Sequence, residues 1–296
     1  MTSWMSRLRP ARSASPRVQR VLLAVAFVAF VAMGWLAIAN FPDEPEPEPR
    51  WALLVAVGVL GPLVTVFLNG LEYRQQGRLV DRVVPIGDAI RVSVLGTAAN
   101  LAPVPGSVLV RTSALVSEQT GVKRAAATTA TVGVAWLGAS AFAAGVLQPV
   151  ADRVLLGAVL VGAGVALLAA TYFLVRRVAP ADGTNAVFAA IVLVELGTVI
   201  VGGLRLLGII AGLGLDVSLA QALGLTLAGV IASATGIFPA GIGIREALVG
   251  LISPVLGLEP AVAVAAAAAD RLAGLLVLAV LTAVIVARRD RTGKAS

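Results

Sequence analysis

Six stretches of this chain each run for about 20 residues on little but Ala, Val, Leu, Ile and Gly. They cover residues 20–39, 51–71, 124–147, 154–175, 185–213 and 260–287. A segment of that length and polarity crosses hydrocarbon as a helix, because a backbone deprived of water must bond its own N–H and C=O groups. The expected class is therefore all-α, a polytopic helical membrane protein with six to eight spans. Composition agrees: 58% of residues are hydrophobic and 13% charged, too few charges for the surface of a soluble domain this size. The chain has no cysteine, which excludes disulfides and thiol chemistry, and no histidine. A Ser-His hydrolase is thereby excluded, and a zinc enzyme loses its commonest ligand; no cofactor or metal is expected.

The net charge of +7 raises the question of nucleic acid. The basic residues instead gather at the ends of apolar blocks, which is how a membrane protein is oriented. Arg7, Arg9, Arg12, Arg17 and Arg20 precede the first block; Arg74, Arg78 and Arg82 follow the second; Lys123 and Arg124 open the third; Arg176 and Arg177 follow the fourth. All fall on the cytoplasmic side on one count. The expected organisation is a basic cytoplasmic tail (1–20), a single transmembrane domain (21–287) and a second basic tail (288–296), in a bacterial cytoplasmic membrane with the N-terminus inside. The first block is read as a retained helix, since it ends in the acidic, Pro-rich "NFPDEPEPEPR" and not in a small-residue cleavage site.

Two further apolar regions, 84–119 and 217–258, are interrupted by polar and helix-breaking residues. The first holds Asp88, Arg91, Asn100, Pro103, Pro105, Gly106 and Arg111; the second holds Pro239, Gly241, Gly243, Arg245, Glu246 and Pro254. "VPGSVLVRTSAL" aligns with "FPAGIGIREAL", each with Pro-x5-Arg, at an offset of 134 residues; "GVKRAAA" then matches "GLEPAVA" at an offset of 136. As re-entrant hairpins the two copies enter from opposite sides, an inverted repeat with six crossings; as pairs of crossings they give eight. Paired broken segments are the best pointer a sequence offers to a transporter's substrate site.

Ionisable residues within apolar segments each cost at least about 3 kcal/mol on insertion scales. They are expected to face the bundle interior and to meet each other or a substrate. Arg271 and Asp270 lie well inside their span, and adjacent helical residues point apart, so each needs its own partner. Glu195 is also deep. Arg245 opposes a helix dipole and suits an anion or a buried acid, while Glu246 favours it. Arg111 reads equally as cavity lining or interface anchor. Arg205 reads as an interface residue near its helix end, and Asp88 with Arg91 as surface or cavity residues. Arg111, Arg245 and Arg271 together suggest a cationic cavity for phosphate, which arginine grips bidentately; Glu195, Glu246 and Asp270 would receive a cationic headgroup or balance the arginines, and Asn100, Pro105, Gly106, Pro239, Gly241 and Gly243 would break and hinge the backbone.

"FPAGIGIRE" resembles the Pro-Gly-Gly-x-Gly-x-x-Glu motif of the lysyl-phosphatidylglycerol synthase transmembrane family, at Pro239, Gly241, Gly243 and Glu246. The span with Arg271 resembles that family's following helix, and "NLAPVPGSVLVR" its first Asn/Pro/Gly segment. The sequence departs from the family at Ala240, Ser107 and Val108. The resemblance runs over about residues 20–287 and implies a stand-alone flippase region without the synthase domain. It implies movement of a phospholipid, aminoacylated or not, between leaflets, not its synthesis. The alternatives are a non-catalytic membrane partner of a lipid-modifying enzyme and a membrane enzyme acting on a lipid-linked phosphate.

Overall fold

The computed structural model describes Trp35 and residues 48–100, 106–179, 183–235 and 243–293. The span expected at 20–39, apart from Trp35, lies outside the described residues, as do Pro105, Pro239 and Gly241. Among the described residues the chain is all-helical. The helices are α1 (Trp51–Arg78), α2 (Ile86–Ala99), α3 (Gly106–Leu115), α4 (Val122–Val146), α5 (Val154–Val178), α6 (Thr184–Gly212), α7 (Leu219–Thr235), α8 (Ile244–Ile252) and α9 (Pro260–Gly293), with a 3-10 turn at Gln148–Ala151. Five of them, α1, α4, α5, α6 and α9 as far as Arg288, are long and apolar enough to cross a membrane. This is a helical membrane protein.

Three of the five outrun their expected ends, α5 by three residues to Val178. Helix α9 continues past residue 287 to Gly293, and α1 past residue 71 to Arg78. The added turns of α1, "EYRQQGR", are polar but not solvated: Glu72, Tyr73 and Gln76 are buried, with Tyr73 packed among Val80, Val84, Ala89, Leu115 and Ala125. Helix propensity does not end at the bilayer surface when protein covers the next turn.

In each interrupted region two short helices flank a segment outside the described residues. Helices α2 and α3, of 14 and 10 residues, span about 21 and 15 Å, short of a hydrocarbon core about 30 Å thick. Their outer ends are tied to one place: the Arg82 N–H donates to Gly77 O (2.9 Å) just before α2, and Arg82 Nη1 donates to Ala114 O (2.7 Å) at the end of α3. Helices α7 and α8, of 17 and 9 residues, are likewise tied together at their outer ends, but at the other end of the bundle. Gln148 Nε2, after α4, donates to Ala220 O (3.1 Å), while Gln221 Nε2 and Arg153 Nη2 both donate to Leu256 O (2.9 and 2.6 Å).

The first break is held by its own residues. Asn100 caps α2 and its Oδ1 accepts the Ser107 N–H (2.6 Å) across the gap. Gly106 opens α3 so close to Ala99 that a Cβ there would sit 2.1 Å from the Ala99 carbonyl oxygen. In the second region Gly243 stands at φ +83° before α8, a left-handed conformation that favours glycine.

At the centre, α1 and α6 run antiparallel. The Arg50 N–H donates to Gly212 O (2.7 Å), and side chains from α1 fill the space over glycines of α6: Leu54 over Gly212, Val57 over Gly208 and Leu68 over Gly197. The exchange reverses once, where Arg205 of α6 lies over Gly61 of α1. The main apolar core joins α6, α7, α8 and α9 through Leu206, Ile210, Leu225, Val249, Ala263 and Ala267. Helices α4 and α5 approach more closely still, with Gly145 against Gly157 and Gly164 against Phe142; small residues let backbones pack where lipid supplies no hydrophobic drive between helices.

Candidate functional site

Eight ionisable side chains are sequestered in the bundle, in two groups. The group nearer the outer end of the first hairpin contains Glu72 of α1, Arg111 of α3 and Glu195 of α6. Arg111 Nη1 donates to Glu72 Oε1, which also accepts from Gln76 Nε2 (3.0 Å). Arg111 is 8% exposed, so it lines the interior and is not an interface anchor. Glu195 is 1% exposed and makes no ion pair among the described residues.

The second group contains Arg205 of α6, Arg245 and Glu246 of α8, and Asp270 and Arg271 of α9. Arg205 Nη2 donates to Asp270 Oδ1 (2.6 Å) and Arg245 Nη2 to Asp270 Oδ2 (3.0 Å), so one carboxylate is shared by two guanidiniums. Arg271 Nη1 donates to Glu246 Oε1 (2.7 Å). The other oxygen of Glu246 accepts the Gly243 N–H (2.8 Å), closing the start of α8. Glu246, 0% exposed, therefore caps a helix and neutralises Arg271 at once.

Room for these groups comes from small residues on facing helices. A Cβ at Gly61 would lie 2.4 Å from Arg205 Cγ, and one at Gly229 of α7 would lie 3.0 Å from Arg245 Nε. Arg205 Nη1 also donates to Thr65 Oγ1 (3.1 Å), one turn along α1 from Gly61. Arg205 is thus part of the site and not a residue of the interface, contrary to its position near the end of its apolar block. The interleaved α1/α6 contact carries it inward. Asp88 and Arg91 are half-exposed, 4.0 Å apart on the outside of α2, and belong to neither group.

The expected single cationic cavity of Arg111, Arg245 and Arg271 is not what the described residues form. Each of these arginines has an acid partner. The Arg205 contact at Thr65 and the Arg111 contact at Glu72 stand seven residues apart on α1, about 10 Å along the helix. Taken together the eight charges cancel, but not locally: the first group has two acids and one arginine, the second three arginines and two acids. Buried hydrogen-bonding atoms are left over in both. Arg205 Nε and Arg245 Nε in the second group, and Arg111 Nε, Glu195 Oε1 and Gln76 Oε1 in the first, have no partner among the described residues. Unsatisfied buried polar atoms are costly, and five of the eight among the described residues lie in these two groups.

Glu72 is the residue that sequence reasoning missed, because it follows an apolar block and sits in a polar heptapeptide that reads as a cytoplasmic loop. Its four-residue spacing to Gln76 on one helical face was the available signal.

The Glu246–Arg271 pair yields a direct test. Glu246→Gln takes this acid from Arg271 and Arg271→Gln takes this cation from Glu246, whereas the double variant removes both charges. Thermal unfolding in detergent is expected to show the double variant less destabilised than the sum of the singles, by about 0.5–3 kcal/mol of coupling.

No family model, no curated protein and no solved structure matches the chain.

Proposed function

We propose that this protein is a lipid flippase or related transporter that carries the phosphate-bearing headgroup of a phospholipid, or of another lipid-linked substrate, between the leaflets of a bacterial cytoplasmic membrane while its tails stay in lipid. The observation that carries this reading is Asp270 shared between Arg205 and Arg245, each with its Nε unpaired. A single carboxylate cannot satisfy two guanidiniums. The surplus positive charge and the two spare donors suit a phosphate, whose oxygens accept from arginine in pairs. Hydrogen-bond donors with nothing to donate to persist in a membrane interior only beside a polar cavity or ligand path.

The architecture supports movement. In this reading α2–α3 and α7–α8 are re-entrant hairpins, the first from the basic, cytoplasmic end and the second from the opposite end, in a six-span inverted repeat whose halves meet at the antiparallel α1 and α6. The Pro-x5-Arg spacing that aligns Arg111 with Arg245 supports it, as does the short reach of all four hairpin helices. The motif resemblance at Pro239, Gly241, Gly243 and Glu246 points the same way. Alternating access would then be a rocking of the two halves about α1 and α6, exposing the arginines to one surface and then the other.

Arg245→Gln tests the reading cleanly, because Asp270 keeps Arg205 as its partner and no buried charge is orphaned. In liposomes with leaflet-labelled phospholipids, wild type is expected to accelerate translocation over protein-free vesicles. Arg245→Gln is expected to lose about tenfold or more of that rate at unchanged thermal stability, since a hydrogen bond to a charged group is worth about 1.5–3 kcal/mol. Equal translocation by the two folded proteins, or none by wild type, would overturn it.

A further inference from the structure

We propose that Glu195 is a proton-binding site, a buried acid set beside the Glu72–Arg111 pair, through which proton movement is coupled to headgroup transport; the coupling rests on the transport reading above, the proton site does not.

The geometry is that of two buried carboxylates and one cation, which is bonded to Glu72. The antiparallel register that sets Leu68 of α1 over Gly197 of α6 brings Glu195 to the turn of α1 that carries Glu72. The guanidinium is engaged on Glu72, and Glu195 is left with an oxygen that nothing donates to. Two carboxylates in one enclosed site hold on to a proton, because like charges there cannot both be ionised cheaply. No other described cation is placed to relieve this. Among the elements packed on α6, α1 presents Glu72 and the buried phenol of Tyr73. The charges of α4 are Lys123 and Arg124 in its first turn, with Arg124 bound to the carbonyls of Leu79 and Val178. Helix α5 carries Arg176 and Arg177 in its last turn, and α7 has no charge. The charges of α9 in the membrane, Asp270 and Arg271, are bound within the second group. Helix α3 supplies Arg111 alone, and the charges of α2 pair with each other at the surface.

The antiparallel packing gives the site its meaning. The α1/α6 register sets Glu195 at the Glu72 turn of α1, as it sets Arg205 over Gly61. One α1/α6 contact thus holds an excess of acid and the other an excess of arginine. With the chain lacking histidine, a carboxylate is the group left to carry a proton at neutral pH. The step is a simple exchange. With both acids ionised, Glu195 competes with Glu72 for Arg111. A proton arriving from water on one side bonds to a Glu195 oxygen and makes it a neutral donor, so Arg111 is left to Glu72 alone. When the proton leaves to the other side, Glu195 again competes for the guanidinium. Arg111 is the sixth residue of α3, so the exchange pulls on the first hairpin.

The experiment uses the full chain in liposomes. Infrared difference spectra over a pH titration are expected to show a carboxylic-acid C=O band from a buried group, absent in Glu195→Gln and shifted in Glu195→Asp. In the same vesicles, an imposed pH gradient is expected to drive labelled phospholipid toward one leaflet, up to about tenfold per pH unit for one proton per lipid, with Glu195→Asp following the gradient and Glu195→Gln ignoring it. A band that survives in folded Glu195→Gln would overturn the proton site. A lipid ratio indifferent to the gradient, in wild type that does translocate lipid, would overturn the coupling and leave the transport reading standing. Failure of wild type to translocate at all would remove the transport reading, and the infrared band would still decide the proton site.

Discussion

Asp270→Asn is expected to be among the most destabilising single substitutions in this protein, lowering stability by about 3–5 kcal/mol. The side chain keeps its shape and loses only its charge, so the cost is electrostatic. Two guanidiniums, Arg205 and Arg245, now converge on Asp270 from different helices. With an amide in its place they stand together in the membrane interior without an anion, and they repel each other. Thermal unfolding in detergent should show a large fall in Tm for Asp270→Asn. The additional change Arg205→Gln, which takes away one of the orphaned charges, should recover part of it. An unchanged Tm for Asp270→Asn would mean that the carboxylate is not the anchor of the two arginines. The contrast with Arg245→Gln is the useful one: the same ion pair is cut from its other end, yet Asp270 retains a partner and the fold should hold.

The second large effect is steric. Gly106→Ala puts a methyl group 2.1 Å from the Ala99 oxygen and 2.2 Å from its carbonyl carbon. Those are backbone atoms at the end of α2 and cannot swing aside as a side chain would. The hairpin must open, and the Ser107–Asn100 hydrogen bond across the gap opens with it. Overpacking of this kind costs about 1–3 kcal/mol and sometimes more, and contact with fixed backbone puts Gly106 at the upper end. Because Arg111 rides on the same short helix, the substitution should also uncouple Arg111 from Glu72. The check is a drop in Tm together with faster proteolysis at the α2–α3 hairpin. A variant as stable as wild type would show that α2 and α3 do not need this close approach.

Much of the architecture was legible in the sequence because hydrocarbon leaves few choices. Apolar runs about 20 residues long have one stable conformation in a bilayer, and α1, α4, α5, α6 and α9 lie where those runs predict them. The two interrupted regions were legible from proline and glycine within apolar sequence. The need of Asp270 and Arg271 for separate partners followed from helical geometry alone, and Arg205 with Arg245 on one side and Glu246 on the other supply them. The identity of partners was less accessible. Arg205 lies late in its apolar block, a position that reads as reaching for the interface, but Gly61 leaves a notch on the facing helix that draws the side chain inward. Nothing in the residues around Arg205 announces a glycine on another helix. Glu72 was hidden for a related reason: its neighbours are polar, and only the fold of the next two helices over them makes the position dry. Local sequence reports polarity and period, whereas burial of a charge is decided by whichever helix happens to cross it.

The Arg205 side chain lying over Gly61 also has a mechanical consequence. A side chain seated in a notch on the facing helix, and pinned beyond it to Asp270, acts as a bolt. Helices α1 and α6 cannot slide lengthwise past one another without withdrawing it, and withdrawal means cutting an ion pair in a medium that offers no substitute. What the bolt does allow is rotation about itself. Motion of α1 against α6 is thereby confined to tilting about this contact, with displacement growing toward the helix ends.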